Sequence, residues 1–315
     1  MRIVVVGAGI AGASVAFFAA RDGHDVMVVD AGVERASDVP SALVNPVRGQ
    51  SGRVDEGALE GMRLTWSLLD EVRSLGFDVP HERAGVRRPV PDERTRRKFE
   101  ASLPSDLPHA WRAADEVRGL AAGWHSVLDI FEGGWLDGPA FVGALLRASG
   151  ARVVRGFASD VRPTRVMVGE QAYRADVVVR CGGSLGTSGG THRAGTMLLL
   201  DHAPCEVPLS FGVYAAPDER GGVLGSTFEA PTSEHVSSPP PLSSLAWLMG
   251  KAQGLLGDLS PRVTGTWTGT RLSTFVSGRQ GDGTWSLTGL GSKGFLIGPL
   301  LARNLTSEVQ ESSLN

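Results

Sequence analysis

The 315-residue chain has little cysteine, lysine and tyrosine, and its charged side chains nearly balance. Its two cysteines, Cys181 and Cys205, are too few for a disulfide framework or a cysteine-rich metal cluster. The histidines show no spacing typical of metal ligands, so we expect no metal site. The net charge of -3 argues against non-specific nucleic-acid binding. We therefore predict that the chain has no nucleic-acid partner.

Long hydrophobic runs are also missing. No apolar stretch reaches the roughly 18 residues that a membrane-spanning helix requires. The first strand runs directly into a glycine turn, without the cleavage region of a signal peptide. We therefore expect no membrane span and a cytoplasmic location. The hydrophobic content of 42% is typical of a globular protein, and the length suggests two domains or one domain with a large insertion.

The N-terminal sequence RIVVVGAGIAG has the pattern of a dinucleotide-binding turn. Residues 3–6 are apolar and mostly β-branched, which predicts a buried parallel strand. Gly7, Gly9 and Gly12 then form the pattern G-x-G-x-x-G at the start of a predicted helix. A second strand, DVMVVD, ends at Asp30, a carboxylate suited to binding ribose hydroxyls. The order of these elements predicts a Rossmann-like unit, and Asp30 suits either FAD or NAD.

The same glycine pattern occurs again near the C-terminus. The segment SLTGLGSKGFLIG contains Gly289, Gly291 and Gly294 between an apolar run and a helix predicted to begin near Lys293. One dinucleotide needs only one such turn, so the second turn requires another explanation.

The segments between the two turns change character along the chain. A helix is predicted over about 57–75, and Asp137 is predicted to cap another helix. Later segments alternate in the manner of antiparallel strands. We therefore predict an α/β fold, α+β overall, in which a Rossmann-like domain is assembled from discontinuous segments and joined to an antiparallel-sheet domain. The predicted boundaries are 1–84, 145–200 and 265–315 for the first domain, and 85–144 and 201–264 for the second, substrate-binding domain.

Several segments together resemble one enzyme family. These are VVVGAGIAGASVA with Asp30, ADVVVRCGGSLG, GGVLGSTFEAP, TWTGTRLST and LTGLGSKGFLIGPLLA. They are similar to segments of the FAD-dependent amino-acid oxidase superfamily, which includes D-amino-acid oxidase, glycine oxidase, sarcosine oxidase and the oxidase module of a tRNA wobble-uridine modification enzyme. The resemblance implies FAD as cofactor. It also implies that the second glycine turn brings a helix N-terminus to the pyrimidine edge of the flavin, where negative charge develops on reduction.

The resemblance implies which residues contact the cofactor. They are taken from both glycine turns, the end of the second strand, the loop after it, a later adenine-binding strand and the strand before Gly182: Gly7, Gly9, Ile10, Ala11, Gly12, Asp30, Ala31, Ser41, Ala42, Leu43, Val161, Cys181, Gly182, Gly183, Arg271, Gly289, Gly291, Ser292, Lys293, Gly294 and Phe295.

Three side chains are candidates for the chemistry. The resemblance implies that Arg271 binds a substrate carboxylate, for which a guanidinium fork is suited. Tyr214 either closes over the substrate or packs on the sheet. Lys293 either lies near the reactive edge of the flavin or is an exposed side chain in the turn.

The family resemblance implies a flavoenzyme that oxidises the C–N bond of a small amino acid or amine by hydride transfer to flavin N5. Oxygen or an electron-transfer partner would then reoxidise the flavin. Two alternatives remain open at this stage. Asp30 alone favours an NAD(P)-dependent dehydrogenase, and the short chain with an altered segment after Arg271 favours a catalytically silent flavin-binding protein. The acidic charge balance disfavours a tRNA-modifying role.

Overall fold

A six-stranded sheet surrounds the N-terminal strand. In the computed structural model, which describes residues 1–33, 35–231 and 239–314, the strand order is β19-β20-β13-β1-β2-β9. Five of these strands, β1, β2, β9, β13 and β20, run parallel, and β19 is an antiparallel edge strand. The bounds are β1 Arg2–Val6, β2 Asp25–Asp30, β9 Arg152–Arg155, β13 Val177–Arg180, β19 Val276–Arg279 and β20 Trp285–Thr288.

Both faces of this sheet are covered, which explains its continuous apolar strands. Ile3 and Val5 face a core that includes side chains from the helices. Val4 and Val29 face the opposite way, against a small antiparallel sheet. The bounds of the covering elements are α1 Ile10–Arg21, α2 Ala58–Ser74, α4 Gly138–Ala148, α6 Gly294–Leu314, β10 Ala158–Arg162, β11 Arg165–Val168 and β12 Gln171–Arg174.

An eight-stranded, mainly antiparallel sheet forms the second large layer. Its order is β18-β14-β17-β16-β15-β5-β7-β6, and only the β15–β5 pair is parallel among the strands described. The helix α5 packs on it through a second apolar core. The bounds are β5 Val86–Val90, α3 Glu93–Glu100, β6 His109–Ala113, β7 Ser126–Ile130, β14 His192–Leu200, β15 Leu209–Phe211, β16 Val213–Asp218, β17 Gly221–Gly225, α5 Leu242–Leu255 and β18 Val263–Leu272.

A three-stranded sheet of order β3-β8-β4 gathers three distant short segments of the chain. Its strands are β3 (Ala42–Val44), β4 (His81–Glu82) and β8 (Gly134–Leu136). Pairing of β3 with β8 fixes the loop that follows β2. Directly after β8, the Asp137 carboxylate accepts the Ala140 N–H at 2.7 Å and caps α4, as predicted.

The predicted fold class is confirmed: the structure combines a parallel sheet with discontinuous strands and an antiparallel sheet. The edge strand β19 was not expected from the sequence. The domain boundaries stay a prediction, and the eight-stranded sheet takes strands from both sets of ranges, β14 and β18 among them. Within the described part of the chain, no helix has the length and apolar character needed to cross a bilayer.

Candidate functional site

The first glycine turn joins β1 to α1 in a space too small for side chains. Gly7 has a φ of 105°, and a Cβ there would lie 2.5 Å from the Cys181 carbonyl oxygen. A Cβ on Gly12 would overlap the Gly7 carbonyl oxygen. These contacts hold the start of α1 against the end of β1, where the positive end of the helix dipole attracts an anion.

The loop after β2 closes over this helix start. The Ile10 N–H donates to the Ser37 hydroxyl at 3.0 Å, and Ser37 is buried. Arg35 donates to the Ala8 carbonyl at 2.7 Å and is held by Asp38. Neither Ser37 nor Arg35 was predicted as a site residue, because a polar loop carries no periodicity that would show which of its residues return to the turn.

Asp30 ends β2 beside the first glycine turn, and only 5% of its surface is exposed. Its carboxylate accepts a hydrogen bond from Arg155 at 2.6 Å, and the Arg35 guanidinium lies 4.0 Å away. The Arg155 side chain is 70% exposed. An exposed partner is easily exchanged for ligand hydroxyls, so the position is compatible with ribose binding.

Ser41, which precedes β3, is fixed against the eight-stranded sheet by two hydrogen bonds with β16. The Ser41 hydroxyl donates to the Pro217 carbonyl at 2.8 Å, and the Tyr214 hydroxyl donates to the Ser41 carbonyl at 2.7 Å. Burial raises the pKa of Tyr214, although the charge of Arg271 acts in the opposite direction. The structure therefore places Tyr214 as a support for this loop, and its predicted catalytic role stays a prediction.

The second glycine turn lies close to the first because the helices that follow them, α6 and α1, are in contact. Gly289 has a φ of 77° and lies against the Thr274 carbonyl, just after β18. A single 3₁₀ turn over Gly291–Lys293 then leads into α6, which begins at Gly294. A Cβ on Gly294 would lie 3.0 Å from the Ile10 Cγ2 atom of α1. The starts of α1 and α6 thus lie side by side, which brings the two predicted cofactor turns together.

Lys293 points to an acidic partner in the loop before α2. Its Nζ lies 3.0 Å from Asp55 Oδ2, and Arg48 contacts the same carboxylate at 3.4 Å. Burial acts to raise the pKa of Asp55, but hydrogen bonds and charge from Lys293 and Arg48 hold it below its ordinary value. Asp55 therefore holds the Lys293 ammonium group in place at the second glycine turn. The predicted role of Lys293 towards the flavin stays a prediction.

Arg271, near the end of β18, is the most unusual side chain in this region. Its Cζ lies 4.9 Å from the centre of the Phe228 ring, and its Nη2 atom is buried with no hydrogen-bond partner among the residues that the structure describes. The guanidinium crosses β14 at Gly195, where a Cβ would approach Nη2 to 2.5 Å. Desolvation lowers the pKa of Arg271, while Tyr214 and Glu229 oppose this shift. A buried guanidinium whose N–H lacks a hydrogen-bond acceptor favours the binding of an anion.

The other predicted cofactor residues occupy less open positions. The Val161 carbonyl accepts a hydrogen bond from Arg180, and the Phe295 ring packs against Phe141 in the core. Burial raises the pKa of Cys181 to about 12, so its thiol is protonated and inert near neutral pH. For the remaining predicted residues the cofactor contacts stay predictions: Ala11, Ala31, Ala42, Leu43, Gly182, Gly183 and Ser292.

Comparison with known proteins assigns the family. A family model described as FAD dependent oxidoreductase matches residues 2–308, nearly the whole chain. The chain belongs to this family of FAD-dependent oxidoreductases. The NAD(P) interpretation, which depended on Asp30 alone, is therefore replaced by FAD, and the protein is an enzyme.

Solved structures similar to this oxidoreductase include two oxidases. Glycine oxidase from Bacillus cereus ATCC 14579 has a TM-score of 0.84 at 19% identity, covering 99% of this chain and 95% of that one. Iminodiacetate oxidase from Chelativorans sp. BNC1 has a TM-score of 0.83 at 20% identity, covering 98% and 95%. These likenesses support the fold.

Among curated proteins, a similar relative is a tRNA 5-methylaminomethyl-2-thiouridine biosynthesis bifunctional protein from Maricaulis maris. It is 29% identical over 98% of this chain. The oxidoreductase spans about half of that relative, 52% of its length. The absence of a nucleic-acid partner, expected from the charge, therefore stays a prediction.

The geometry around α1 fits FAD. Gly9, which precedes α1, has no side chain to cap the helix, and Asp30 lies beside it with an exchangeable partner. These groups would hold the pyrophosphate and the adenosine ribose, while the paired start of α6 would face the isoalloxazine.

Proposed function

We propose that this oxidoreductase oxidises the C–N bond of an amine that also carries a carboxylate. The observation that carries this proposal is Arg271, whose buried Nη2 atom has no partner among the described residues. An uncompensated buried cation is costly, and a carboxylate ligand is the partner that its fork fits best. A substrate anchored there would hold its amine end towards the glycine turns.

The side chains of this site act mainly by positioning. Arg271 would orient the substrate, and the Tyr214–Ser41 hydrogen bond would keep the adjacent loop in place. Bound FAD would supply the hydride acceptor for the carbon next to nitrogen. Loss of hydride and of one N–H proton leaves an imine, which water hydrolyses to a carbonyl compound and either ammonia or, from a secondary amine, a smaller amine. No buried acid–base pair is needed when the substrate amine is unprotonated.

A tRNA-attached amine is a second candidate substrate. It is favoured by the names of two curated relatives, tRNA 5-methylaminomethyl-2-thiouridine biosynthesis bifunctional proteins, which match this chain along 98% of its length. Phe228 lies next to Arg271 with 59% of its surface exposed, so it offers an aromatic face for stacking a base. Under this hypothesis a carboxylate on the modified nucleobase would occupy Arg271.

Anaerobic mixing of the FAD-bound protein with candidate amines tests the proposal. Loss of visible flavin absorbance with small amino acids or secondary amines would support it, and Arg271→Ala should slow this reduction at least about 100-fold. Arg271→Lys is the matched control for charge without the fork. Reduction by all amines at an unchanged rate in Arg271→Ala would contradict the proposal.

The two substrate candidates are separated by the same assay. Total tRNA isolated from cells that lack this protein would be supplied in place of free amino acids. Flavin reduction by tRNA alone would favour the tRNA hypothesis, whereas reduction by free amines alone would favour a small-molecule oxidase.

A further inference from the structure

The strand that carries Arg271 also carries Trp267, whose indole holds a second buried N–H group. Both residues belong to β18, with Gly269 midway between them. The Trp267 Nε1 atom is buried and has no hydrogen-bond partner within the described part of the chain. A buried donor that has lost water without gaining an acceptor is costly. Because an indole N–H only donates, the group that Trp267 lacks is an acceptor.

Trp267, Gly269 and Arg271 lie on the same face of the eight-stranded sheet. Alternate residues of a strand share a face, and these three are spaced two positions apart. In the pairing of β18 with β14, Gly195 lies directly opposite Gly269, and Met197 lies opposite Trp267. Residues directly opposite each other in an antiparallel pair also share a face. A pair of glycines, without side chains, therefore lies beside both the indole and the guanidinium.

The indole and the guanidinium both extend over this glycine pair. A Cβ on Gly269 would lie 2.6 Å from the Cη2 atom and 2.7 Å from the Cζ2 atom of Trp267. A Cβ on Gly195 would lie 2.5 Å from the Nη2 atom of Arg271. Since Cζ2 and Nε1 are bonded to the same ring carbon, the edge of the indole over Gly269 is the edge that bears the N–H. The Cβ positions of directly opposite residues are about 4.5–5.5 Å apart, so the two donors reach over neighbouring positions.

The neighbours of the indole are mainly apolar. Trp267 and Tyr214 pack against a small cluster that includes Met197. The Tyr214 hydroxyl donates to the Ser41 carbonyl and contacts the Met197 sulfur at 3.4 Å. From the loop after β2, the Ala36 Cα atom would lie 3.3 Å from a Cβ on Gly269. Among the described residues, these neighbours supply no acceptor to Nε1, which favours an acceptor that a ligand brings.

We propose that Trp267 is a second binding residue for the substrate carboxylate: its Nε1–H donates to one oxygen, and the Nη2–H of Arg271 donates to the other. This inference rests on the proposed function and deepens it. A hydrogen bond from a neutral donor to a carboxylate is charge-assisted, and the indole adds it without burying a further charge. Two donors also fix the plane of the carboxylate, and hence the orientation of the carbon that is oxidised.

Nuclear magnetic resonance of the FAD-bound, ¹⁵N-labelled protein tests this inference directly. The chain has seven tryptophans, each of which gives one indole N–H signal. The Trp267 signal is identified by its absence from the spectrum of Trp267→Phe. Acetate serves as the ligand, because it has a carboxylate and no nitrogen to oxidise. We expect acetate to move the Trp267 signal to a higher proton chemical shift, with the same midpoint as the change in the visible flavin spectrum.

The dissociation constant of acetate, measured through flavin absorbance, gives a second readout. Trp267→Phe keeps an aromatic ring but removes the N–H, so it should weaken acetate binding about tenfold or more. Trp247→Phe is the matched control, since it removes the N–H of a tryptophan on α5 that is 42% exposed, and should leave the constant unchanged. Gly269→Ala is a second variant, whose methyl group would displace the indole edge and should also weaken acetate. If Trp267→Phe does not fold, the Trp267 signal is identified as the indole signal that Gly269→Ala shifts most.

Two kinds of failure are distinguished by including Arg271→Ala. If the Trp267 signal does not move while acetate saturates the flavin spectrum, or if Trp267→Phe binds acetate as tightly as wild type, the indole does not bind the carboxylate. Arg271 then remains the anchor, and only this inference is wrong. If acetate does not bind to wild type, or binds Arg271→Ala equally well, the proposed function itself fails and this inference fails with it. A shifted Trp267 signal together with weaker binding in both Trp267→Phe and Arg271→Ala supports the two-donor site.

Discussion

A glycine in β14 decides where the charge of Arg271 lies. Gly195 has no side chain, and the guanidinium of Arg271 occupies the space that a side chain would fill. On the same surface the Thr227 carbonyl oxygen would lie 3.1 Å from a Cβ. The site thus depends on glycine at position 195 as well as on Arg271, because any Cβ at position 195 would push the guanidinium away from Phe228.

We therefore predict that Gly195→Ala weakens carboxylate binding about tenfold or more while leaving the charge of Arg271 in place. The added methyl group forces the guanidinium to move, at a cost of about 1–3 kcal/mol. Flavin absorbance titrated with acetate measures this effect. Gly250→Ala, where a Cβ on α5 would meet open space, is the matched control. Wild-type affinity in Gly195→Ala would show that the guanidinium position is not constrained.

The two cysteines give a second prediction at this scale. Burial raises the pKa of Cys181 and of Cys205 to about 12, so neither thiol ionises in the folded protein near neutral pH. We expect no reaction with a thiol-specific disulfide reagent at about pH 8 in the folded state, and reaction of both thiols after unfolding.

The same shift makes stability depend on pH. The cysteine thiols of the unfolded chain ionise at about pH 8.5, whereas those of the folded protein do not. The free energy of unfolding should therefore fall as pH rises above that value. Replacing both cysteines with alanine should flatten this dependence. A fast reaction of either thiol in the folded protein would contradict the burial on which both expectations depend.

At the scale of elements, the crossing of α2 and α6 sets the position of the second glycine turn. A Cβ on Gly61 would overlap the Leu296 carbonyl oxygen and lie 3.1 Å from the Ile297 Cα atom. Four residues later, the Thr65 hydroxyl donates to the Phe295 carbonyl at 2.8 Å. The backbones of the two helices are therefore in direct contact near the start of α6.

We predict that Gly61→Ala lowers the free energy of unfolding by about 1–3 kcal/mol, because the obstructing atoms belong to backbone and cannot rotate away. It should also weaken FAD binding, since the start of α6 must shift relative to α1. Denaturant titration and flavin fluorescence measure the two effects. Gly143→Ala on α4 is the matched control, where a Cβ meets only the mobile end of Arg147. Equal stability of both variants would contradict a tight crossing.

Elements whose evidence is local could be predicted from the sequence. The first turn, α1 and the Asp137 cap depend on residues a few positions apart, and their patterns were sufficient. Ser37 was missed because its role arises from a contact with Ile10, which lies 27 residues away along the chain. The edge strand β19 was missed for a similar reason, since four residues acquire their strand structure only by pairing with β20.

At the scale of the whole molecule, the chain passes repeatedly between the two large sheets. It builds β1 and β2 in the six-stranded sheet, then β5 to β7 in the eight-stranded sheet, and returns for β9 and β13. It leaves again for β14 to β18 and returns for β19 and β20. Neither sheet is made from one continuous segment. Each segment that contributes strands to one sheet is therefore connected at its ends to strands of the other sheet.

We therefore predict that both large sheets unfold in one cooperative transition and that FAD stabilises both equally. A ligand that binds only the folded state adds about 2.7 kcal/mol at a free concentration 100 times its dissociation constant. Hydrogen exchange in increasing denaturant, resolved by peptide, measures protection of β1 and β13 separately from that of β14 and β18. The two pairs should lose protection at the same denaturant concentration, and FAD should raise it by the same amount for each. If FAD protected only β1 and β13, the sheets would be independent units. The interleaved chain path would then not couple cofactor binding to the sheet that carries Arg271.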